Sequence, residues 1–409
     1  MGTTTKGPTV SGLLSRARHV WADRSRANQS TTPAETKASR AGPLVAMQML
    51  GRPVWSGRDY ASFAREGFER NPVVNRCVRL IAEAAASVPW LLYEGRQELD
   101  DHPLLEVLTR PNPAQGGGDL LENWYGHLLV AGNAYLEVVE LAGVPKELHV
   151  LRPDRMKVVP GLQGWPSRYE YSVAGRTITF EQGEAPSILH LRMFHPTDDH
   201  YGLSPMEAAA YAVDIHNAAA GWNKALIDNS ARPSGALIYQ GTDGNRFLSE
   251  EQFERLKGEL ENNHQGAGNA GRPLLLEGGL DWKQMSLTPK EMDFAEARNG
   301  AARDIALAFG VPPMLLGIPG DNTYANYKEA NVALWRQTIL PLVARASRAM
   351  GNWLTPRYEG SLKLGYDLDN IPALSAERDA LWDRLNQADF LDDAEKREAI
   401  GYGVKEEQE

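Results

Sequence analysis

At Gly132 the hydrophobic pattern of this chain changes period, from helical to alternating, and that change limits the fold more than any other feature. Before it, Asn71-Pro72 reads as an N-cap followed by proline at the first helical position. Val74, Cys77, Val78, Ile81 and Ala85 then fall on one helical stripe, which ends before Pro89. A second helix is expected from Asp119, paired with Glu122 in a capping-box-like arrangement, to Gly132. After it, residues 134–140, 147–151, 156–159, 168–173, 176–180 and 187–192 read as short strands separated by Gly- or Pro-containing turns. Helices followed by a run of strands imply an α+β fold and argue against a parallel sheet interleaved with helices.

Capping signals punctuate the second half. Ser204-Pro205-Met206-Glu207 opens a helix expected to reach about Asn229, about 37 Å of alanine-rich helix carrying Tyr211, Ile215 and Trp222. A strand over 234–240 follows, then a helix capped by Ser249 with Gln252, and a strand pair over 274–276 and 282–285. Thr288-Pro289-Lys290-Glu291 opens a helix to Phe309, stopped by Gly310 before Pro312-Pro313. A long helix over 324–354 has the stripe Val332, Trp335, Ile339, Leu342, Ala346, Met350 and Trp353, with Pro341 expected to kink it. Ser375 and Asp392 are candidate caps of short tail helices, and no internal repeat is present.

The 409 residues exceed one ordinary domain, and 42% hydrophobic with 23% charged residues is a globular mix. No run approaches the 18 or so apolar residues of a membrane span: 127–144, the most apolar candidate, is interrupted by Asn133, Glu137 and Glu140. No apolar stretch follows the basic N-terminal residues as a secretory signal would require. The reading is a soluble intracellular protein. Residues 1–43 read as a flexible basic arm, whereas 366–409 hold thirteen acidic against five basic residues. The net charge of −10 excludes the global basic footprint of a conventional DNA-binding protein, so any nucleic-acid contact is local or weak.

Chemistry-bearing motifs are nearly absent. The run from Gly266 to Gly271 matches G-x-G-x-x-G, but it follows a helix and precedes a strand, the reverse of a dinucleotide site, and reads as a loop. No Walker A, H-E-x-x-H, G-x-S-x-G or kinase-loop sequence occurs. His190, His195 and His200, with Asp198 and Asp199, form the one metal-like cluster, and a metal-dependent hydrolase built on it is the alternative reading. Its spacing matches no known site. Cys77, the single cysteine, sits on an apolar stripe and reads as core; Asn28-Gln29-Ser30 is a sequon without a secretory route. No cofactor, metal or catalytic residue is assigned.

Eight groups of residues, in one order, point to a family. They are Asn71-Pro72-Val73-Val74 with Cys77-Val78, Ile81-Ala82 and Pro89-Trp90; His102-Pro103-Leu104 with Pro111-Asn112-Pro113; and Gly132-Asn133-Ala134-Tyr135. Then come Tyr201-Gly202-Leu203-Ser204-Pro205, Ala231-Arg232-Pro233-Ser234-Gly235 and Leu276-Glu277-Gly278-Gly279-Leu280. Ile305 with Ala308-Phe309-Gly310-Val311-Pro312-Pro313 and Leu316-Gly317, followed by Thr323-Tyr324-Ala325-Asn326, complete the set. Over about residues 60–400 the chain resembles the portal proteins of tailed bacteriophages, of the long-tailed, lambdoid siphophage type that includes gene-transfer-agent portals.

The resemblance implies a portal fold assembled as a ring, usually a dodecamer, at one capsid vertex of a virion or phage-like particle put together in the bacterial cytoplasm. Double-stranded DNA passes through it in packaging and ejection; the partners implied are the packaging ATPase (large terminase), the major capsid protein and the head–tail adaptor, with no membrane. It also implies a wing (44–203), a stem helix (204–230), a clip (231–286), a second stem helix (287–316), a tunnel loop (317–324), a long wing helix (325–355) and a crown or tail (356–409). Gly320, Asp321, Asn322, Thr323 and Tyr324 would touch DNA from the tunnel loop, and Lys224, Lys290, Arg298 and Arg303 are the stem cations available for weak contacts. Such a channel should not be strongly basic, because each neutralised phosphate adds affinity through counterion release and would hold the duplex still. The rivals are an enzyme, a shorter adaptor, and a shell subunit that would close into shells instead of rings.

Overall fold

Asn71 and Pro72 do what their spacing predicts. The structure, a computed structural model, describes residues 55–161, 164–228, 235–239, 249–264, 280–284, 294–319 and 324–401. Helix α1 (60–69) is capped by Asp59, whose carboxylate accepts from the Ser62 amide at 3.0 Å, and is π-helical over Phe63–Glu69. Helix α2 (Pro72–Ala86) follows; Asn71 Oδ1 accepts from the amides of Val73 (3.0 Å) and Val74 (3.2 Å), and the predicted stripe is buried. Strands β1 (Trp90–Glu94) and β2 (Gln97–Glu98) and helix α3 (Pro103–Thr109) were not anticipated; His102 Nδ1 caps α3 by accepting from Leu104 at 3.1 Å. Helix α4 (Gly117–Ala131) starts two residues before the expected Asp119. Gly116 is its N-cap, and Asp119 accepts the Gly116 amide at 3.2 Å, so Asp119 is the third helical residue.

All six predicted strands form: β3 (Asn133–Leu141), β4 (Val144–Leu151), β5 (Met156–Pro160), β6 (Pro166–Val173), β7 (Arg176–Glu181) and β8 (Ile188–Arg192). They make two antiparallel sheets, β4-β3-β8 and β5-β6-β7. Two hairpins turn on Ala-Gly pairs whose residues both have positive φ, Ala142-Gly143 (54° and 81°) and Ala174-Gly175 (49° and 76°). This is the twist a two-residue hairpin needs, and alanine pays a steric cost there.

The remaining elements are α5 (Pro205–Ala208), α6 (Ala210–Asp228), β9 (Gly235–Tyr239), α7 (Glu250–His264), β10 (Leu280–Gln284), α8 (Phe294–Phe309), α9 (Tyr324–Leu334), α10 (Leu340–Leu354), β11 (Leu362–Tyr366), α11 (Ser375–Asn386) and α12 (Asp393–Ile400). Ser249 and Gln252 make the expected reciprocal cap of α7, and Asp392 with Glu395 that of α12. Ser375 does not cap: it is already helical, and its hydroxyl donates to Pro372 O. Strand β11, inside 356–409, pairs antiparallel with β1 in register Trp90 to Tyr366. Strands β9 and β10 pair likewise. The arm 1–43, the strand expected at 274–276, the Gly266–Gly271 run (266–271) and the Thr288 cap lie outside the described residues.

The long helix departs from its expected stripe. Leu334, Ile339, Val343, Ala346, Met350 and Leu354 are buried, whereas Leu342 is only half-buried. The step of five between Leu334 and Ile339 is a π-helical turn, Trp335–Ile339, in which the Leu340 amide reaches back to Trp335 O. An extra residue in one turn rotates the following face, so Val343 takes the core position that a uniform 3.6 period gives Leu342. The irregularity lies just before Pro341, whose missing N–H disrupts the ordinary ladder.

One large core joins α2, α4, α8 and α10, with Trp124, Tyr125, Leu128, Ile305, Val343 and Met350 essentially inaccessible. A second lies between the two sheets around Tyr135, Leu151, Tyr169 and Tyr171. Arg357, its side chain 4% exposed, ties the end of α10 to the first sheet: it meets Glu140 of β3 at 2.5 Å and donates to the carbonyls of Pro186 (2.6 Å) and Trp353. Cys77 is buried, and burial pushes its thiol up to about 12, so it is inert core. Among the described residues no helix is long and apolar enough to cross a membrane.

Candidate channel-facing helices

Helices α6 and α8 lie against each other along their length. Small side chains allow it: α6 buries Ala212, Val213 and Ala219, and α8 buries Ala301, Ala302 and Ala306 beside Ile305 and Phe309. The charge along the pair is nearly balanced. Among the described side chains, Lys224, Arg298 and Arg303 stand against Asp214, Glu296 and Asp304. A surface with no surplus of cations gives DNA little counterion-release affinity.

Two polar joints hold α6 and the turn that leads into it to the rest of the fold. At the first, Asn71 is fully buried; its Nδ2 donates to His216 Nδ1 (3.2 Å) and Asn217 Oδ1 (3.0 Å), and Asn217 donates to Glu66 O at 2.8 Å. His216 therefore accepts on Nδ1 and is neutral; burial, and then the Arg298 charge, lower its pKa. At the second joint Asn133 is the hub. Its Oδ1 accepts from the Gly202 amide (2.8 Å) and from His190 Nε2 (3.0 Å), and its Nδ2 donates to Ala131 O (2.8 Å) and Gly202 O (3.3 Å). Gly132, with φ 71°, and Gly202 touch backbone to backbone; a Cβ on Gly202 would stand 2.2 Å from Gly132 O and 2.5 Å from Met193 N. Ser204, capping α5 through the Glu207 amide at 2.9 Å, starts immediately afterwards. The Gly132-Asn133 and Gly202-Ser204-Pro205 groups are thus one contact, from which α5 and α6 depart.

The metal-like cluster is not a site. His190 is almost wholly buried, donates to Asn133 and accepts from Tyr169 O–H (3.3 Å), and its burial lowers its pKa to about 3. His195 bonds Thr197 in its own loop, and Asp198 accepts from the amides of His200 and Tyr201. Among the described residues no three His, Cys, Asp or Glu side chains are placed to hold a metal ion. The hydrolase alternative has no support: His190, His195 and Asp198 are held by structural partners, and the buried His200 Nδ1 meets no second ligand.

Of the predicted contact residues, Lys224 is exposed on α6, and Arg298 and Arg303 are exposed on α8. Lys290, Gly320, Asp321, Asn322 and Thr323 lie outside the described residues, and Tyr324 is the first residue of α9. Arg303 has a partner that spacing did not foretell: its Nη2 donates to Pro319 O at 2.5 Å. The face of α6 opposite its core also matters. Tyr211, Ile215, Ala218, Trp222 and Ala225 form an apolar stripe at steps of four and three, all exposed. Trp55 packs edge-on to Tyr211 at 4.6 Å and the Arg58 guanidinium lies over its ring, yet Tyr211 stays 51% exposed.

The phage portal protein family model matches residues 72–401. A chain in the neck of an empty gene transfer agent (GTA) particle, computed with C6 symmetry, is 55% identical, with a TM-score of 0.69 over 89% of this chain and 100% of its own. One in the neck of a native GTA particle, computed with C12 symmetry, is also 55% identical, with a TM-score of 0.66 over 87% of this chain and 96% of its own. The portal protein of Enterobacteria phage HK97 is 27% identical over 82% of this chain and 77% of its own.

Proposed function

The chain belongs to the phage portal protein family, as the portal of a phage or gene transfer agent particle, and from that premise we propose that it forms a twelve-copy ring through which double-stranded DNA is packaged and ejected. The ring sits at one capsid vertex, held by the major capsid protein. The packaging ATPase docks on it during filling and the head–tail adaptor afterwards. Energy comes from the motor; the portal is the conduit and hydrolyses nothing itself.

The observation behind the ring is the α6 stripe. A helix that has buried one face in its own core and keeps a second apolar face in water calls for a partner. In a cyclic ring each copy covers its neighbour's patch, so no stripe is left over. Similarity to chains from necks computed with sixfold and twelvefold symmetry supports the same partner. In this reading residues 44–203 and the long helix (325–355) are the wing, α6 and α8 are the stem (204–230 and 287–316), and 231–286 is the clip. Helices α11 and α12 are the crown, since β11 belongs with β1. Residues 317–324 are the tunnel loop, with Gly320, Asp321, Asn322, Thr323 and Tyr324 touching DNA, and Lys224, Lys290, Arg298 and Arg303 make weak stem contacts.

Mass photometry and negative-stain microscopy of the purified chain test the assembly. Annuli of about twelve copies, with an open centre, are expected. Closed shells would overturn the reading.

A further inference from the structure

The connection that leaves α8 is pinned to α8 itself, residue by residue. Gly310, at φ 68°, ends the helix in a Schellman turn: Val311 N–H reaches Ala306 O (2.9 Å) and Gly310 N–H reaches Leu307 O (3.0 Å). From the long helix, Thr338 in the π-helical turn donates its hydroxyl to Gly310 O at 2.7 Å. A short 3-10 turn, Pro313–Leu316, and a left-handed Gly317 bring the chain back. Ile318 then buries itself on Ala302 and Ala306 of α8. The next residue, Pro319, offers its carbonyl to Arg303, on the same turn of α8.

We infer that Arg303 is a positioning residue: it clamps the base of the 320–324 segment to the stem, so that α8 sets where that segment begins. The inference rests on the reading of 317–324 as the DNA-touching loop, and it gives Arg303 a task distinct from a phosphate contact. Ile318 holds the base by apolar burial, which has no direction. The guanidinium adds a directed, charge-assisted bond to the last carbonyl before residue 320. A moving duplex pushes on a loop along the channel axis, and a bond at its root resists that push without holding the DNA.

The two roles separate in DNA-free rings. Hydrogen–deuterium exchange at residues 318–324 is compared in wild type, Arg303→Ala, Arg303→Lys and, as a control cation on the same helix, Arg298→Ala. Arg303→Ala should raise exchange there about fivefold, the worth of one exposed charge-assisted hydrogen bond. Arg303→Lys, with a donor of nearly the same reach, should recover part of it, and Arg298→Ala should leave it unchanged. Unchanged exchange in Arg303→Ala rings would overturn the inference, leaving Arg303 at most a phosphate contact. DNA packaging in particles carrying the same variants separates the premise. If exchange rises and packaging is untouched, the clamp stands and the loop's role in translocation fails.

Discussion

Gly202→Ala is the substitution whose cost the structure states most sharply. The added Cβ would lie 2.2 Å from Gly132 O, 2.5 Å from Met193 N and 2.8 Å from Met193 O, all backbone atoms that cannot rotate aside. Relief requires prising residues 202–204 away from 132–133 and 193. That strains the Gly202 N–H to Asn133 Oδ1 bond (2.8 Å), the Asn133 Nδ2 bond to Gly202 O (3.3 Å) and the Met193 N–H to Gly132 O bond (2.8 Å). At about 1 kcal/mol net for each buried bond, and more where a donor is left unpaired, the loss is about 2–4 kcal/mol. For a chain of this size that lowers the melting temperature by about 2–5 °C. The assay is thermal unfolding followed by circular dichroism, with Gly126→Ala as control. Gly126 is inside α4 with nothing within 4 Å of its Cβ position, so alanine there should raise stability by about 0.5–1 kcal/mol. A Gly202→Ala protein that melts within a degree of wild type would refute the account of this joint.

Three further outcomes are expected. Ile215→Asp places a charge in the exposed α6 stripe, so mass photometry should show loss of rings at concentrations where wild type assembles; because Ile215 is 44% exposed, urea unfolding of the single chain should shift by under about 0.5 kcal/mol. His190 and His127 are held neutral by burial, with pKa values lowered from 6.5 to about 3 and about 4. The unfolded chain takes up those protons as pH falls below 6.5 and the folded chain does not, so each contributes stability that is lost on acidification, about 2 kcal/mol by pH 5; His190→Gln should lose less between pH 7 and 5 than wild type in urea titrations. Ala174→Asn, at φ 49°, puts a residue tolerant of the left-handed region in the β6–β7 turn and should raise the urea midpoint by the equivalent of about 0.5–1 kcal/mol.

Sequence and structure agree where the signal is local. Asn71-Pro72, Ser249 with Gln252, and Asp392 with Glu395 are caps whose donors and acceptors lie within four residues, so spacing alone identifies them. The strands from 133 to 192 are legible for the same reason: alternation and turn residues are properties of a short window. The eight ordered groups that resemble phage portals also stand in the sequence, and the family match, over 72–401, covers all of them but Asn71. Of the candidate contacts, the stem cations could be named from the sequence, but not the task of any of them.

What needed the tertiary structure is what depends on distant partners. Strand β1 is an unbroken apolar run from Trp90 to Tyr93 with no alternation to mark it, and its partner β11 comes from the far end of the chain. The π-helical turn that replaces Leu342 by Val343 in the core answers to packing and to Pro341 together, and no uniform period contains it. Asn133 meets Gly202, and Arg303 meets Pro319, only after the chain has folded back on itself. Nor can an alanine-rich helix such as α6 announce which of its two apolar faces is core, since both have the same period. The neighbours decide that, by covering Ala212, Val213 and Ala219 and leaving Tyr211 and Ile215 about half exposed.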